Sequence, residues 1–290
     1  MTPGPGVLTA AGFGALHGFT ARSGGHAIGG SVGPYARLNL GLSSGDERAV
    51  VEGNRDALLG HLGFARSDVC CFDQVHGDRV SAGDPGWFVE EADAAVTARD
   101  DVLLVVSSAD CVPLLFHDPV AGVVGAAHCG WKGTAARLAA KVVLTMSERH
   151  GSHPADVRVA LGPCIRGGCY QVGEDVTSRF AAAGHPATVW RPDPSAPGRF
   201  LLDLPAANAL ALAEAGVLPG NVSDLGRCTH CEPAEFYSHR RDRGLTGRHW
   251  AYVSLRGPGG LDPEDAPGGA AAPGGADGLH STGAHRGGRG

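Results

Sequence analysis

Three short segments of this 290-residue chain carry side chains able to ligate metal or move protons. They are Gln74-Val75-His76-Gly77, Ser108-Ala109-Asp110-Cys111 and Ala127-His128-Cys129-Gly130-Trp131-Lys132-Gly133. Cys111 stands between two apolar runs, and His128 closes the next run, just before a Gly-rich turn. If those runs form a hairpin turning at Asp118-Pro119, the start of one strand lies beside the end of the other. Cys111 and His128 are then neighbours, and His76 can join them from a loop. Two imidazoles and one thiolate make a three-ligand set with an open fourth position, the arrangement of catalytic zinc. Water on such an ion titrates near neutrality and becomes a nucleophile. Each residue also has a purely structural reading. A His at a strand end is commonly hydrogen-bonded in place, and a Cys between apolar strands packs as a small hydrophobe. Spacing by itself leaves both readings open.

Apolar periodicity outlines the elements that must position these residues. Asp46–Leu62 reads as a helix, capped by Ser43, Ser44 or Asp46, with an apolar stripe of Val50, Val51, Leu58, Leu59 and Leu62. Val102–Ser107, Val112–His117, Val120–Ala127 and Trp250–Leu255 have strand length and composition. Thr134–His150 reads as a helix with Leu138, Val142 and Met146 on one face. A further helix begins at Leu204-Pro205, capped by Asp203, and ends at Gly216. Strands and helices mix without a regular βαβ rhythm, so α+β with sandwiched layers is the expected class.

Composition narrows the function. Twenty-four basic against 30 acidic residues argue against nucleic acid or an anionic membrane as partner. No run approaches the roughly 18–20 apolar residues of a membrane span, and the N-terminus lacks the basic start of a signal peptide, so a cytoplasmic location is expected. Residues 257–290 are nearly all Gly, Pro, Ala and polar residues and are expected to be a disordered tail, with His280 and His285 solvated. Residues 1–12 are expected to be loose as well. The oligomeric state stays open between a monomer and a weak dimer. Eight cysteines in a chain of this length do not read as a disulfide scaffold; in a reducing cytosol they pack, bind metal or react.

Read in series, QVHG, SADCVPLLF, GAAHCGWKGTAARL, LGPCIRGGCYQVGEDV and CTHCEPAEFYSHRRDRGLTGRHWAYVSL resemble the YfiH/YlmD family, also called the laccase-domain or multicopper polyphenol oxidase family. PYARLNLGLSSGDERAVVEGNRDALLGHLG resembles its N-terminal motif, so the match covers roughly residues 13–256. The resemblance implies a single YfiH-like α+β domain of layered mixed β-sheets flanked by helices. It implies phosphorolysis of purine nucleosides (adenosine, inosine and S-methyl-5'-thioadenosine) and adenosine deamination at the same site. Phenol oxidation has also been claimed for the family. The family's metal ligands fall on His76, Cys111 and His128, which are also the expected catalytic residues.

Composition also bears on which reaction is expected. A laccase-type copper centre needs closely paired histidines, and this chain has no His-x-His. A blue-copper site adds a distant axial Met, but only Met1 and Met146 exist. Zinc fits better, although copper binds such ligands more tightly. Deamination needs a carboxylate to shuttle protons; Asp110 and Glu174 are the candidates. Phosphorolysis needs an anion site, for which Arg55, Lys132, Arg240, Arg241 and Arg248 are candidates, with Arg55 and the Arg240-Arg241 pair favoured. Asn39 is a candidate contact to sugar or base, or else a turn residue bonding its own backbone. Tyr170 can stack on a purine or pack in the core. Where this chain has Arg166-Gly167-Gly168, the family commonly has small residues or Pro, which bears on substrate preference. Cys164-x4-Cys169 with Cys228-x2-Cys231 could form a structural zinc site, though the resemblance accounts for both segments without it.

Overall fold

A computed structural model describes residues 6–22 and 29–257. From position 258 onward the expected tail, with His280 and His285, lies outside those residues, as do positions 1–5 of the expected loose N-terminus. In chain order the elements begin with β1 (Val7–Leu8), β2 (Leu16–Thr20), α1 (Arg48–Leu62), β3 (Val69–Asp73), β4 (Val80–Ser81), β5 (Gly86–Glu91) and β6 (Ala94–Thr97). Then come β7 (Leu103–Ser108), β8 (Val112–Asp118), β9 (Val123–Cys129), α2 (Trp131–Ala135), α3 (Leu138–His150) and β10 (Arg158–Leu161). β11 (Gln171–Val172), α4 (Glu174–Ala182), β12 (Trp190–Pro192), β13 (Phe200–Leu202), α5 (Leu204–Glu214), β14 (Val222–Asp224) and β15 (His249–Ser254) complete the order.

Two six-stranded mixed sheets dominate, in the orders β1-β2-β15-β7-β3-β5 and β14-β10-β8-β9-β6-β4, with a small third sheet β11-β13-β12. The large sheets stack, β7 and β15 packing on β8 and β9. Between them lie Leu104, Val106, Ala251 and Val253 from one sheet and Leu115, Val124, Ala126 and Ala160 from the other. The alternate residues point outward. Val112, Leu114 and Phe116 of β8 pack with Leu138, Val142 and Met146 of α3. Leu103 and Val105 of β7 pack with Leu58 and Leu59 of α1. The result is helix, sheet, sheet, helix, an α+β architecture of layered mixed sheets as expected. Central strands covered on both faces read as unbroken apolar runs, which is why β7 and β8 show no polar alternation. Each fully buried Val or Leu there contributes roughly 1.5–3 kcal/mol.

Local departures from expectation have local causes. The first turn of α1 has no side-chain cap. Ser44 and Asp46 instead accept hydrogen bonds from Asn39 Nδ2, at 2.8 and 3.0 Å. The helix expected over Thr134–His150 is broken at Arg137, which is left-handed at φ 59°. Its guanidinium donates to the carbonyls of Ala183 and Gly184, which holds the break. Leu138, Val142 and Met146 all follow it, so their periodicity could not reveal it. The strand expected from Val120 starts only at Val123, because Asp118 Oδ1 accepts from the amides of Val120 and Ala121 and curls them into a turn. Asp203 caps α5 as expected, accepting from Ala206 N at 3.0 Å. The N-terminal expectation needs correction: Val7 and Leu8 pair with Thr20 and Phe19, and Ala10 is buried. That short strand satisfies the free edge of β2. No described helix is long and apolar enough to cross a membrane.

Candidate functional site

The β8–β9 hairpin sets the first two candidate ligands side by side. Its register pairs Val112 with Cys129 and Pro113 with His128, so Cys111 at the mouth of β8 faces the end of β9. Strand alternation sends the Cys129 thiol into the core and the His128 ring the other way. The tight turn from β7 into β8 is made by Asp110 at φ 91°. It is pinned by Ser108 Oγ donating to the Cys111 carbonyl at 2.7 Å.

His76 arrives from the loop after β3, and its own φ is 58°. Two side chains hold that loop. Gln74 acts as a surrogate strand partner of β7, donating to Ser107 O at 2.8 Å and accepting from Ser107 N at 2.7 Å. Asp93, fully buried, accepts from the His76 amide at 3.1 Å, the Gly77 amide at 2.5 Å and His128 Nδ1 at 2.9 Å. A carboxylate on Nδ1 holds the imidazole with its other nitrogen free to ligate, the usual support of a metal-bound His. The donor atoms of His76, Cys111 and His128 lie within 4.8 Å of one another.

Gly130 leaves room for them. A Cβ there would stand 2.9 Å from the His76 ring and 3.2 Å from Cys111 Sγ. Burial alone would push the Cys111 thiol up, but His128 and His76 beside it outweigh that and hold it down at about 6. Burial would likewise depress His128, yet Cys111 and Asp93 raise it to about 9. For Asp93 burial opposes ionisation, and the bonds from His128 and Gly77 still bring it below the ordinary carboxylate range. Such a cluster is ready for a cation: the thiolate is already favoured, and ligation would displace the His128 proton to solvent, since it requires a thiolate and neutral imidazoles. The donor set of two nitrogens and one sulfur suits zinc.

The three donors face a cavity of about 510 Å³. Its other walls include Phe88, Tyr170, Arg55, Arg240 and Arg248. Arg55 is 3% exposed, its Nε donates to Leu40 O at 2.8 Å, and its guanidinium lies 5.0 Å from the ring centres of both Trp87 and Trp250. Burial lowers it to about 10, still protonated at neutral pH. Arg240 lies over the Tyr170 ring at 4.9 Å. Burial raises the Tyr170 phenol to about 12, so it stays neutral. Asp110 also lines the cavity, but its oxygens are engaged by Thr229 Oγ1 and the Arg240 amide, both at 2.6 Å. It ties two segments to the hairpin.

Several residues singled out in the sequence lie elsewhere. Asn39 is wholly buried away from the cavity wall. Its amide donates to Ser44 and Asp46 and accepts from the Gly41 and Arg248 amides, so it shapes a turn. Arg241 does not line the cavity either: its guanidinium donates to the carbonyls of Thr229 and Phe236 and to both oxygens of Asp242. The cation of that pair facing the cavity is Arg240. Lys132 and Glu174 are absent from the walls, and Arg166 makes a two-bond pair with Asp224. Asp93, the carboxylate that supports His128, went unnoticed in the sequence. No motif spacing marks it; it reaches the site because β6 pairs with β9.

Residues 16–256 match the sequence model of a family described as multi-copper polyphenol oxidoreductase laccase. A purine nucleoside phosphorylase of Deinococcus radiodurans is 46% identical over 254 residues, covering 87% of this chain and 94% of that protein. An adenosine deaminase, RL5, from an unknown prokaryotic organism is 34% identical over 220 residues, covering 71% of this chain and 82% of that protein. The crystal structure of YlmD from Geobacillus stearothermophilus superposes with a TM-score of 0.80 at 39% identity, covering 88% of this chain and 98% of that one.

Proposed function

This chain belongs to the YfiH/YlmD family, and on that premise we propose that it is a zinc-dependent purine nucleoside phosphorylase with adenosine deaminase activity at the same site. Its substrates in this reading are phosphate with adenosine, inosine or S-methyl-5'-thioadenosine. The catalytic domain is residues 13–256, with β1 extending its first sheet. The observation that carries the reading is the convergence of His76, Cys111 and His128 on a cavity whose walls hold four aromatic side chains and three arginines.

His76, Cys111 and His128 would hold the zinc, which when bound supplies Lewis acidity at an open position. Asp93 orients His128 and the His76 loop. Phe88 and Tyr170 offer apolar faces to a purine. Arg55, Arg240 and Arg248 form a cationic wall that draws in phosphate and offsets its charge as it reacts. Phosphorolysis exchanges the C1'–N9 bond for a C1'–O bond to phosphate, and the purine leaves with a proton on its ring. Deamination exchanges the C6 amino group for a water oxygen and releases ammonia.

Chromatography of zinc-loaded protein incubated with adenosine, with and without phosphate, tests the reading. Adenine and ribose 1-phosphate should appear only with phosphate, and inosine in both tubes. Cys111→Ala should abolish both reactions; turnover surviving that change together with loss of metal would refute the assignment. A copper-dependent phenol oxidase is the second reading, favoured by a His2Cys donor set that binds copper more tightly than zinc. Against it, Met146 is buried in the core and unable to act as axial ligand. Phenol oxidation strictly dependent on copper, with no purine turnover in the zinc form, would favour that alternative.

A further inference from the structure

Three cysteines outside this site gather at one edge of it. The loop after β10 and the segment after β14 run side by side: the backbones of Cys164 and Cys228 form an isolated parallel β-bridge, and Thr229 N donates to Cys164 O at 3.0 Å. This brings Cys169 Sγ to 3.2 Å from Cys231 Sγ and 4.0 Å from Cys228 Sγ. His230 joins Cys169 and Cys231 with its donor atom within 4.8 Å of both sulfurs.

We propose that Cys169, Cys228 and Cys231, with His230 as fourth ligand, form a second metal centre for a zinc-class divalent cation. The set is four-coordinate with no open position, the pattern of a structural site. Two thiolates about 2.3 Å from a tetrahedral zinc stand ~3.8 Å apart. The observed separations bracket that spacing and exceed the roughly 2.05 Å of a disulfide bond. Each ligating thiol gives up its proton to solvent. Cys164 stays out, sealed in the core cluster. The proposed set takes three of the four cysteines of Cys164-x4-Cys169 and Cys228-x2-Cys231, plus the intervening His.

The position gives the centre a task. Cys169 precedes Tyr170, a wall of the cavity. Cys228 precedes Thr229, whose hydroxyl donates to Asp110 beside Cys111. An ion joining the two segments fastens one wall of the cavity to the hairpin that carries Cys111 and His128.

Metal analysis of the full-length chain, purified under reductant, tests this. The parent should carry about two equivalents of zinc, and Cys111→Ala and Cys231→Ser about one each. Cobalt loaded into Cys111→Ala should give strong thiolate-to-cobalt charge transfer with tetrahedral bands, a readout that does not depend on Cys231→Ser folding. Cys111→Ala without metal and without the cobalt spectrum would overturn the proposal. So would titration of denatured, unreduced protein showing two fewer free thiols than the eight in the sequence, the mark of a disulfide in place of an ion.

Discussion

Replacing Asp93 by Asn keeps the side chain's volume and removes one acceptor oxygen. In the parent, Oδ1 accepts from His128 Nδ1 at 2.9 Å and His76 N at 3.1 Å, while Oδ2 accepts from Gly77 N at 2.5 Å. The amide has one oxygen for three donors. Placed at the Oδ1 position, it keeps two bonds and turns its NH2 against the Gly77 amide. The flipped placement loses two bonds, so the first prevails. One buried donor left unpaired costs about 1–3 kcal/mol. Loss of the carboxylate charge also weakens His128 as a donor to a cation. Partners of this kind are worth about 10–100-fold in metal affinity, or about 1.4–2.7 kcal/mol. Competition for zinc with a chromophoric chelator at fixed pH should show that loss in Asp93→Asn, with turnover at limiting zinc falling in parallel. Asp93→Ala should fall further, since all three donors lose their acceptor. Zinc affinity of Asp93→Asn within twofold of the parent, alongside a lowered melting temperature, would refute the reasoning and leave Asp93 as a fold residue only.

Gly130→Ala should weaken zinc binding at least tenfold with little change in melting temperature, because the new Cβ meets the His76 ring at 2.9 Å while the backbone, at φ −67°, accepts Ala; chelator competition checks it, and unchanged affinity would show that the donors do not need that space. Asn39→Ala should cost ~2–4 kcal/mol in a urea melt through its lost buried bonds, with the KM for nucleoside nearly unchanged; a raised KM without destabilisation would restore it as a substrate contact. His249 is buried, and burial depresses it to about 3 while its Nε2 accepts from Tyr237 N at 2.8 Å. The unfolded chain takes up that proton below about pH 6.5 and the folded one does not, so stability falls as pH drops from about 6.5 toward 3. Between pH 6.5 and 5 the parent should lose about 2 kcal/mol more than His249→Gln in urea melts; equal losses would exclude His249 as the source.

Much of the scaffold was legible because its signals are local. Leu138, Val142 and Met146 recur at helical spacing, Asp203 with Pro205 marks a helix start, and the apolar runs around Cys111 have strand length. A hairpin between sequence neighbours also makes Cys111 and His128 adjacent without knowledge of the wider fold. The break at Arg137 escaped because the cause lies in the carbonyls of Ala183 and Gly184, far along the chain.

Among polar residues the type announces a capacity for chemistry, and the fold decides what each side chain meets. Asn39 and Arg241 had the right types for substrate contacts, but local turns and the Asp242 carboxylate claim their bonds. Arg55 reaches the cavity because α1 lies over β7 and β15, with Trp87 and Trp250 flanking the guanidinium. By itself the sequence determined the residue types that can hold a cation, the elements around them and the family. The pairing of β6 with β9, which delivers Asp93, and the meeting of the segments after β10 and β14, which gathers Cys169 and Cys231, were decided only by the tertiary structure. Such contacts join residues tens of positions apart, and hydrophobic periodicity records which face a residue buries but not which strand lies beside it.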